Sequence, residues 1–226
     1  MPSSIIHRCV SKRVLEKGNL FKDINDIFEY EIGSIAPDSW RNSIRFKESD
    51  LPKKEKRKYS HFSNDGEFIE QYMNFYNKYK DMLDKPFMMG YFVHLLTDNR
   101  WRNTMFYRCF DKDGAVILLD GSTLNGEKGV RKELLHKESK KMAYLLSRHY
   151  KLDGLRNLTN DEINFLPEMN EIEFDGLNDT INYTNMESNN DPGDELLVYK
   201  LDDFVLGIEQ CSDYILNQLK EFGLYK

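Results

Sequence analysis

Apolar residues recur every three to four positions along most of this chain, the spacing that lays one greasy stripe along a helix. Ile6, Val10 and Val14 form such a stripe with His7 beside it. Ser3 or Ser4 stands where that helix would be capped, and Gly18 predicts its end near Lys17. Asp23 or Asn25 opens a second, shorter helix that runs to Ile32 and Gly33. The spacing of Phe68, Tyr72, Phe75, Tyr76 and Tyr79 predicts a helix over 65–83, and another follows Pro86 with Met89, Phe92, Val93, Leu96 and Trp101 inside it. A long helix is expected from about Gly129 to Tyr150. Thr159 and Glu162 then form a capping box, and a last helix covers Asp202 to Phe222.

The pattern breaks in three places. Met105 to Phe110, the turn residues Asp111, Lys112, Asp113 and Gly114, and Ala115 to Leu119 predict a small β-hairpin. Residues 39–63 are polar and basic and read as a long loop, a kind of segment that is often functional. The stretch from Asn178 to Asp194 is rich in Asn and Asp and reads as a surface loop. The expected architecture is mainly α, a multi-helix bundle with a β-hairpin insertion. It forms a single domain over 1–226, with a helical core at 1–155 and an extension at 156–226 packing on it. Phe165, Phe174, Tyr199 and Phe204 in that extension are expected in the core rather than against a ligand.

Composition narrows the class. With 226 residues, 40% of them hydrophobic and 13 Tyr and 14 Phe among them, the chain is too apolar to be disordered. Its net charge of -6 disfavours a general nucleic-acid surface. The exception is the basic run Lys53, Lys54, Lys56, Arg57 and Lys58, a solvated loop or a collar for a phosphate-bearing substrate. Three scattered cysteines, Cys9, Cys109 and Cys211, argue against a disulfide framework. No long apolar stretch marks a signal peptide or a membrane span, so a cytoplasmic protein without stable membrane insertion is expected.

The sharpest chemical signal is Gly90-Tyr91-Phe92-Val93-His94-Leu95-Leu96-Thr97-Asp98. Residues four apart on a helix share a face, so His94 and Asp98 can grip one ion or bridge two. Their apolar setting makes burial costly unless a metal, or a His–Asp hydrogen bond, compensates. Gly33-Ser34-Ile35-Ala36-Pro37-Asp38 delivers a carboxylate after an apolar turn, as a helix cap or as a ligand. His61 follows the basic run. His149 and Asp153 repeat the His-x-x-x-Asp spacing, and His136 lies thirteen residues before His149. Glu138 falls on the seam of Leu135, Met142, Leu145 and His149, where a carboxylate is a ligand, a partner for Lys or Arg, or the sign of a half-buried seam.

Taken together, His7 in Met-Pro-Ser-Ser-Ile-Ile-His, the segment ending at Asp38, Ser60-His61-Phe62 and the segment 90–98 resemble the zinc-dependent phospholipase C family. The similarity is to its short bacterial cytoplasmic members and covers about residues 1–155. It implies a phospholipase C-like helical bundle around one to three zinc ions. Asp38, His61, His94 and Asp98 would hold a first ion, and His136, His149 and Asp153 a second. His7 would hold a third, with Asp98 bridging to it. The family chemistry is hydrolysis of a phosphate ester by water activated between metal ions, with Asp38 as general base. Zinc nucleases of similar fold keep a nucleic-acid substrate open. An HD-type phosphohydrolase needs adjacent His and Asp, and no His here is followed by Asp. The alternative is a non-catalytic metal-binding or scaffold protein of the same fold, which sequence likeness alone does not separate from an enzyme.

Overall fold

The computed structural model describes residues 3–50, 52, 58–62, 69–125, 127–169, 174–193 and 195–225. Helix α1 (Ser4–Gly18) starts after Ser3 and closes on Asn19, which takes the left-handed conformation (φ 48°) and returns its N–H to the Leu15 carbonyl. Helix α2 (Ile24–Gly33) is capped by Asp23, whose side chain accepts from the Asn25 N–H at 2.8 Å. The segment read from sequence as a long loop is largely helical instead. A 3-10 helix covers Ala36–Arg41, α3 covers Ile44–Glu48, and a helical turn lies at 58–61. These pieces are too short to show a 3.6-residue period. Lys53, Lys54, Lys56 and Arg57 of the basic run, and the expected helix start at 65–68, lie outside the described residues.

Helix α4 (Ile69–Tyr79) leads through a 3-10 turn at Lys80–Met82 to α5 (Pro86–Thr104), which has Pro at its first position. Every residue from Phe87 to Asn99 is buried, so α5 is covered all round and forms the centre of the molecule. Phe75 of α4 stacks on its Tyr91, with ring centroids 4.9 Å apart.

The hairpin is displaced from its expected position. Phe106–Cys109 is a 3-10 turn, and Phe110 makes a single bridge to Val116. The paired strands are β1 (Val116–Ile117) and β2 (Thr123–Leu124), antiparallel, with Val116 opposite Leu124. The turn at 111–114 does form, with Asp111 Oδ1 accepting from the N–H groups of Asp113 and Ala115.

Helix α6 (Lys128–His149) is followed by α7 (Asn160–Phe165), whose Thr159–Glu162 capping box is complete. The Asn-rich stretch expected as a loop is α8 (Leu177–Asn189). Its core face mixes Leu177 and Ile181 with three hydroxyl residues, which weakened the apolar period. Thr180, Thr184 and Ser188 are buried and satisfy their hydroxyls on carbonyls one turn back. Asn178 and Asn185 clamp the segment 155–158, each accepting from and donating to one residue's backbone, Leu158 and Leu155 respectively.

Helix α9 (Leu201–Glu221) lies along α1, where Arg13 meets Glu209 at 2.7 Å and Lys17 meets Asp213 at 2.6 Å. One apolar cluster runs from Ile5 to Leu219, so the C-terminal extension shares the core of the rest. Phe174 and Phe204 are buried, but Phe165 is 88% exposed, contrary to expectation. It sits at the end of the six-residue α7, which buries no residue of its own. No helix among the described residues is long and apolar enough to cross a membrane.

Helices α2 and α5 cross with their backbones touching. A Cβ at Gly33 would lie 2.1 Å from the Phe87 carbonyl, and one at Gly90 would lie 2.1 Å from the Tyr30 carbonyl. Neither neighbour is a flexible side chain, so the helices themselves would have to part. Gly90→Ala is therefore expected to cost about 3 kcal/mol or more, at or above the upper end for overpacking. Gly129→Ala, at an open helical position, should be neutral or slightly stabilising. Urea unfolding of the two variants checks both. Equal stabilities would mean that the crossing is not the constraint it looks to be.

Candidate metal centre

The crossing sets the geometry of a buried polar cluster. One turn beyond Gly90, His94 points its Nδ1 at the Ser34 carbonyl, 2.8 Å away and one residue beyond Gly33. A carbonyl can only accept, so Nδ1 carries the hydrogen and Nε2 keeps the lone pair a metal needs. That Nε2 is buried and has no hydrogen-bond partner among the described residues. Asp98 lies one further turn along α5. Asp38 is carried on the 3-10 turn after α2, with its N–H on the Ile35 carbonyl at 3.1 Å.

His61 arrives from the helical turn at 58–61. Phe62 ends that turn in the left-handed conformation (φ 53°) and packs its ring against Phe75, Tyr79 and Tyr91. The Tyr91 hydroxyl donates to the Ser60 carbonyl, and Ser60 Oγ lies 2.8 Å from His61 Nδ1. Nε2 of His61 therefore faces inward, as it does in His94. His7, in the first turn of α1, stacks on His94 with ring centroids 3.6 Å apart and planes 8° from parallel.

The facing atoms are spaced as ligands of shared cations. His7 Nε2 is 3.6 Å from Asp98 Oδ1; His61 and His94 Nε2 are 3.5 and 3.9 Å from Asp98 Oδ2. His61 Nε2 is 3.9 Å from Asp38 Oδ1. Tetrahedral ligands at bond lengths of about 2.0–2.2 Å stand about 3.3–3.6 Å apart. Two triads could each hold an ion, His7–His94–Asp98 and Asp38–His61–His94. Asp98 turns one oxygen toward His7 and the other toward His61 and His94, the posture of a bridging carboxylate. All five residues are buried.

The charge states suit that role. Burial, then His7, pushes the His94 imidazole down from its ordinary 6.5 to about 4, so it is neutral at physiological pH. Burial would raise Asp98, but His7, His94 and His61 outweigh it and hold the carboxyl far below its ordinary range. Burial likewise opposes ionisation of Asp38, and the Arg41 guanidinium, helped by the three imidazoles, overcomes it. Two carboxylates and three imidazoles out of water form a set that a divalent cation would complete.

Arg41 was not anticipated. Its Nη2 lies 3.2 Å from Asp38 Oδ1, and its side chain is 53% exposed, so the cluster meets solvent at this pair. The signal was there: residues three apart stack in a 3-10 helix, but 39–63 had been read as a loop. Glu187 on α8 was missed for a similar reason. Burial, with the Asp38 charge as a lesser cause, raises its carboxyl above the ordinary range, against Tyr183, Lys140 and Arg41.

The remaining expected ligands are placed elsewhere. Glu138 is buried, but its carboxylate accepts from the N–H groups of Leu197, Val198 and Tyr199 at 2.7, 3.1 and 3.2 Å. It fastens a chain segment rather than facing the cluster. His136, His149 and Asp153 are exposed and belong to neither triad. Asp153 is used through its backbone, its carbonyl accepting from Arg8 at 2.9 Å. Among the described residues, no group that could hold an ion includes these three.

His94 makes stability depend on pH in a defined window. Between pH 6.5 and about 4 the unfolded chain takes up a proton there that the folded chain refuses. Stability of chelator-treated protein should therefore fall as pH falls through that window, by at most about 3 kcal/mol for one proton. The lowered Asp38 and Asp98 act later: their contribution stands above about pH 3.8 and is lost below it. Urea unfolding between pH 7 and 4 should show the slope in wild type and a flatter one in His94→Gln. Identical slopes would remove His94 as its source.

Comparison of the chain with protein-family models, with curated proteins and with solved structures finds no match.

Proposed function

We propose that this chain is a metal-dependent hydrolase of phosphate esters, with zinc as its ion. The observation that carries the reading is the pair of buried triads sharing His94, with Asp98 turned toward both. Imidazole nitrogen and carboxylate oxygen at tetrahedral spacing are donors zinc favours. His7, His61, His94, Asp38 and Asp98 would hold the ion or ions. A bound zinc supplies Lewis acidity toward a phosphoryl oxygen and makes water a nucleophile at neutral pH.

The protein's own groups divide the remaining work. Asp38 stays ionised beside the half-exposed Arg41, where it would accept a proton from water acidified by a bound ion. Arg41, against Asp38 and half exposed, can donate to a phosphate oxygen, with its guanidinium carbon 5.7 Å from the Trp40 ring centroid. The Ser34 carbonyl and Ser60 hydroxyl fix the imidazole orientations, which keeps the donors preorganised. A non-catalytic metal-binding protein is the second reading. It draws on one observation, that among the described residues His136, His149 and Asp153 belong to no group that could hold an ion.

Metal content by plasma mass spectrometry and hydrolysis of bis(p-nitrophenyl) phosphate separate the two. Untagged wild type should carry one or two zinc per chain, on the order the triads allow. Folded Asp98→Asn should lose metal and at least about a hundredfold in rate, the upper end seen for partners of ligands alone. Arg41→Ala should keep its metal and raise KM. Bound zinc without hydrolysis of this or a phosphomonoester substrate would favour the binding protein, and no zinc after reconstitution would end both readings.

A further inference from the structure

A groove apart from the metal centre lies along the N-terminal half of α6. A groove of about 970 Å³ opens between the first three turns of that helix and Phe110. Lys128, Arg131, Lys132, Leu135 and His136 line it at spacings of three and four, so they share one face of the helix. None of the five residues of the metal centre lines it. His136, expected as a ligand, belongs here.

The groove is positive in a chain whose net charge is -6. The carboxylate that lines it, Glu133, has its own cation in Lys137 at 3.4 Å. Arg131 is held in place, its guanidinium donating to the Gly114 carbonyl at the end of the turn that Asp111 braces. An anchored cation is preorganised and loses little entropy when a ligand arrives. Phe110 and Leu135, both half-buried, add an apolar wall. Cations beside an aromatic ring, in a volume within the usual range of about 300–1,000 Å³ for small-molecule sites, fit a ligand that is anionic at one end and flat and apolar at the other.

We propose that this groove binds a nucleotide-sized organic phosphate, the phosphates on Lys128, Arg131 and Lys132 and the planar ring against Phe110 and Leu135. The site is independent of the hydrolase reading and stands whether or not the metal centre is catalytic.

Isothermal titration calorimetry with ADP tests it on wild type, on the double variant Lys128→Glu/Lys132→Glu and on His94→Ala, each checked for folding by circular dichroism. Lys128 and Lys132 are exposed, so their reversal leaves the core intact. Affinity should fall about tenfold or more in the double variant, because two attractions become repulsions. It should persist in His94→Ala, where only the metal centre is damaged. Inorganic phosphate should bind more weakly than ADP. The proposal is overturned by no ADP binding at millimolar concentration, by equal affinity in the double variant, or by loss in His94→Ala alone, which would place ADP at the metal centre. Phosphate binding as tight as ADP would overturn the ring contact. A single-stranded oligonucleotide binding far more tightly through the same lysines would replace the small ligand with a nucleic acid.

Discussion

Two peptide backbones in direct contact hold the chemistry of this protein in place. At the crossing of α2 and α5, Gly33 lies under the Phe87 carbonyl and Gly90 under the Tyr30 carbonyl, each with no room for a Cβ. Everything polar in the centre is measured from that point. Ser34 follows Gly33 and reaches His94, one turn past Gly90. Asp38 follows by a short 3-10 turn whose pitch also brings Arg41 back over it. Wider separation of the helices would break the Ser34–His94 hydrogen bond first, and with it the tautomer that leaves Nε2 as a donor to a metal.

The cost of that arrangement is electrostatic. Helix α5 is buried all round, and inserting an imidazole and a carboxylate into such a helix disfavours folding unless both are compensated. Compensation comes from elements far apart in sequence: His7 from α1, His61 from the turn at 58–61 and Arg41 beside Asp38. Helix α1 can deliver His7 because Ile5, Cys9, Val10 and Val14 anchor it in the core. Its ion pairs with α9 are partly exposed and steer its direction more than they stabilise it. The protein has thus built a site whose charge balance favours a cation, and the same burial makes His94 sensitive to acid.

How much of this could be read beforehand depends on what carried the signal. Helices with an apolar stripe were placed to within a residue or two at α1, α2 and α9, as was the start of α5. Helix α8 was lost because three of its five buried residues are Thr or Ser, whose hydroxyls bond within the helix and leave Leu177 and Ile181 too few to mark a period. The hairpin was mislocated because two-residue strands carry almost no alternation, and the Asp111–Gly114 turn, though correctly seen, joins a single bridge. For the cluster, His94 and Asp98 stood out as polar residues in an apolar run. His7, His61 and Asp38 each looked ordinary locally, and the family resemblance that grouped them has no support from the comparisons with known proteins.

Glu138 and Asp98 show why carboxylates on buried helix faces resist assignment from sequence. Both are about as completely buried, at 2% and 1% exposure, and both sit among apolar neighbours on long helices. The difference is what the surroundings offer. Around Glu138 three backbone N–H groups converge, and a carboxylate that accepts three hydrogen bonds is satisfied without a cation. Around Asp98 stand imidazoles, of which His94 has its only hydrogen turned away to Ser34 and presents a lone pair. Lone pair facing carboxylate is repulsive until something positive lies between them, whereas N–H facing carboxylate is complete. A buried acid is therefore a ligand candidate where a neighbour presents a lone pair beside it, as His94 does, and a structural one where backbone N–H groups saturate it. The donors around Glu138 come from Leu197 to Tyr199, about 60 residues along the chain, whereas Asp98 meets His94 one turn before it on the same helix and His7 from α1.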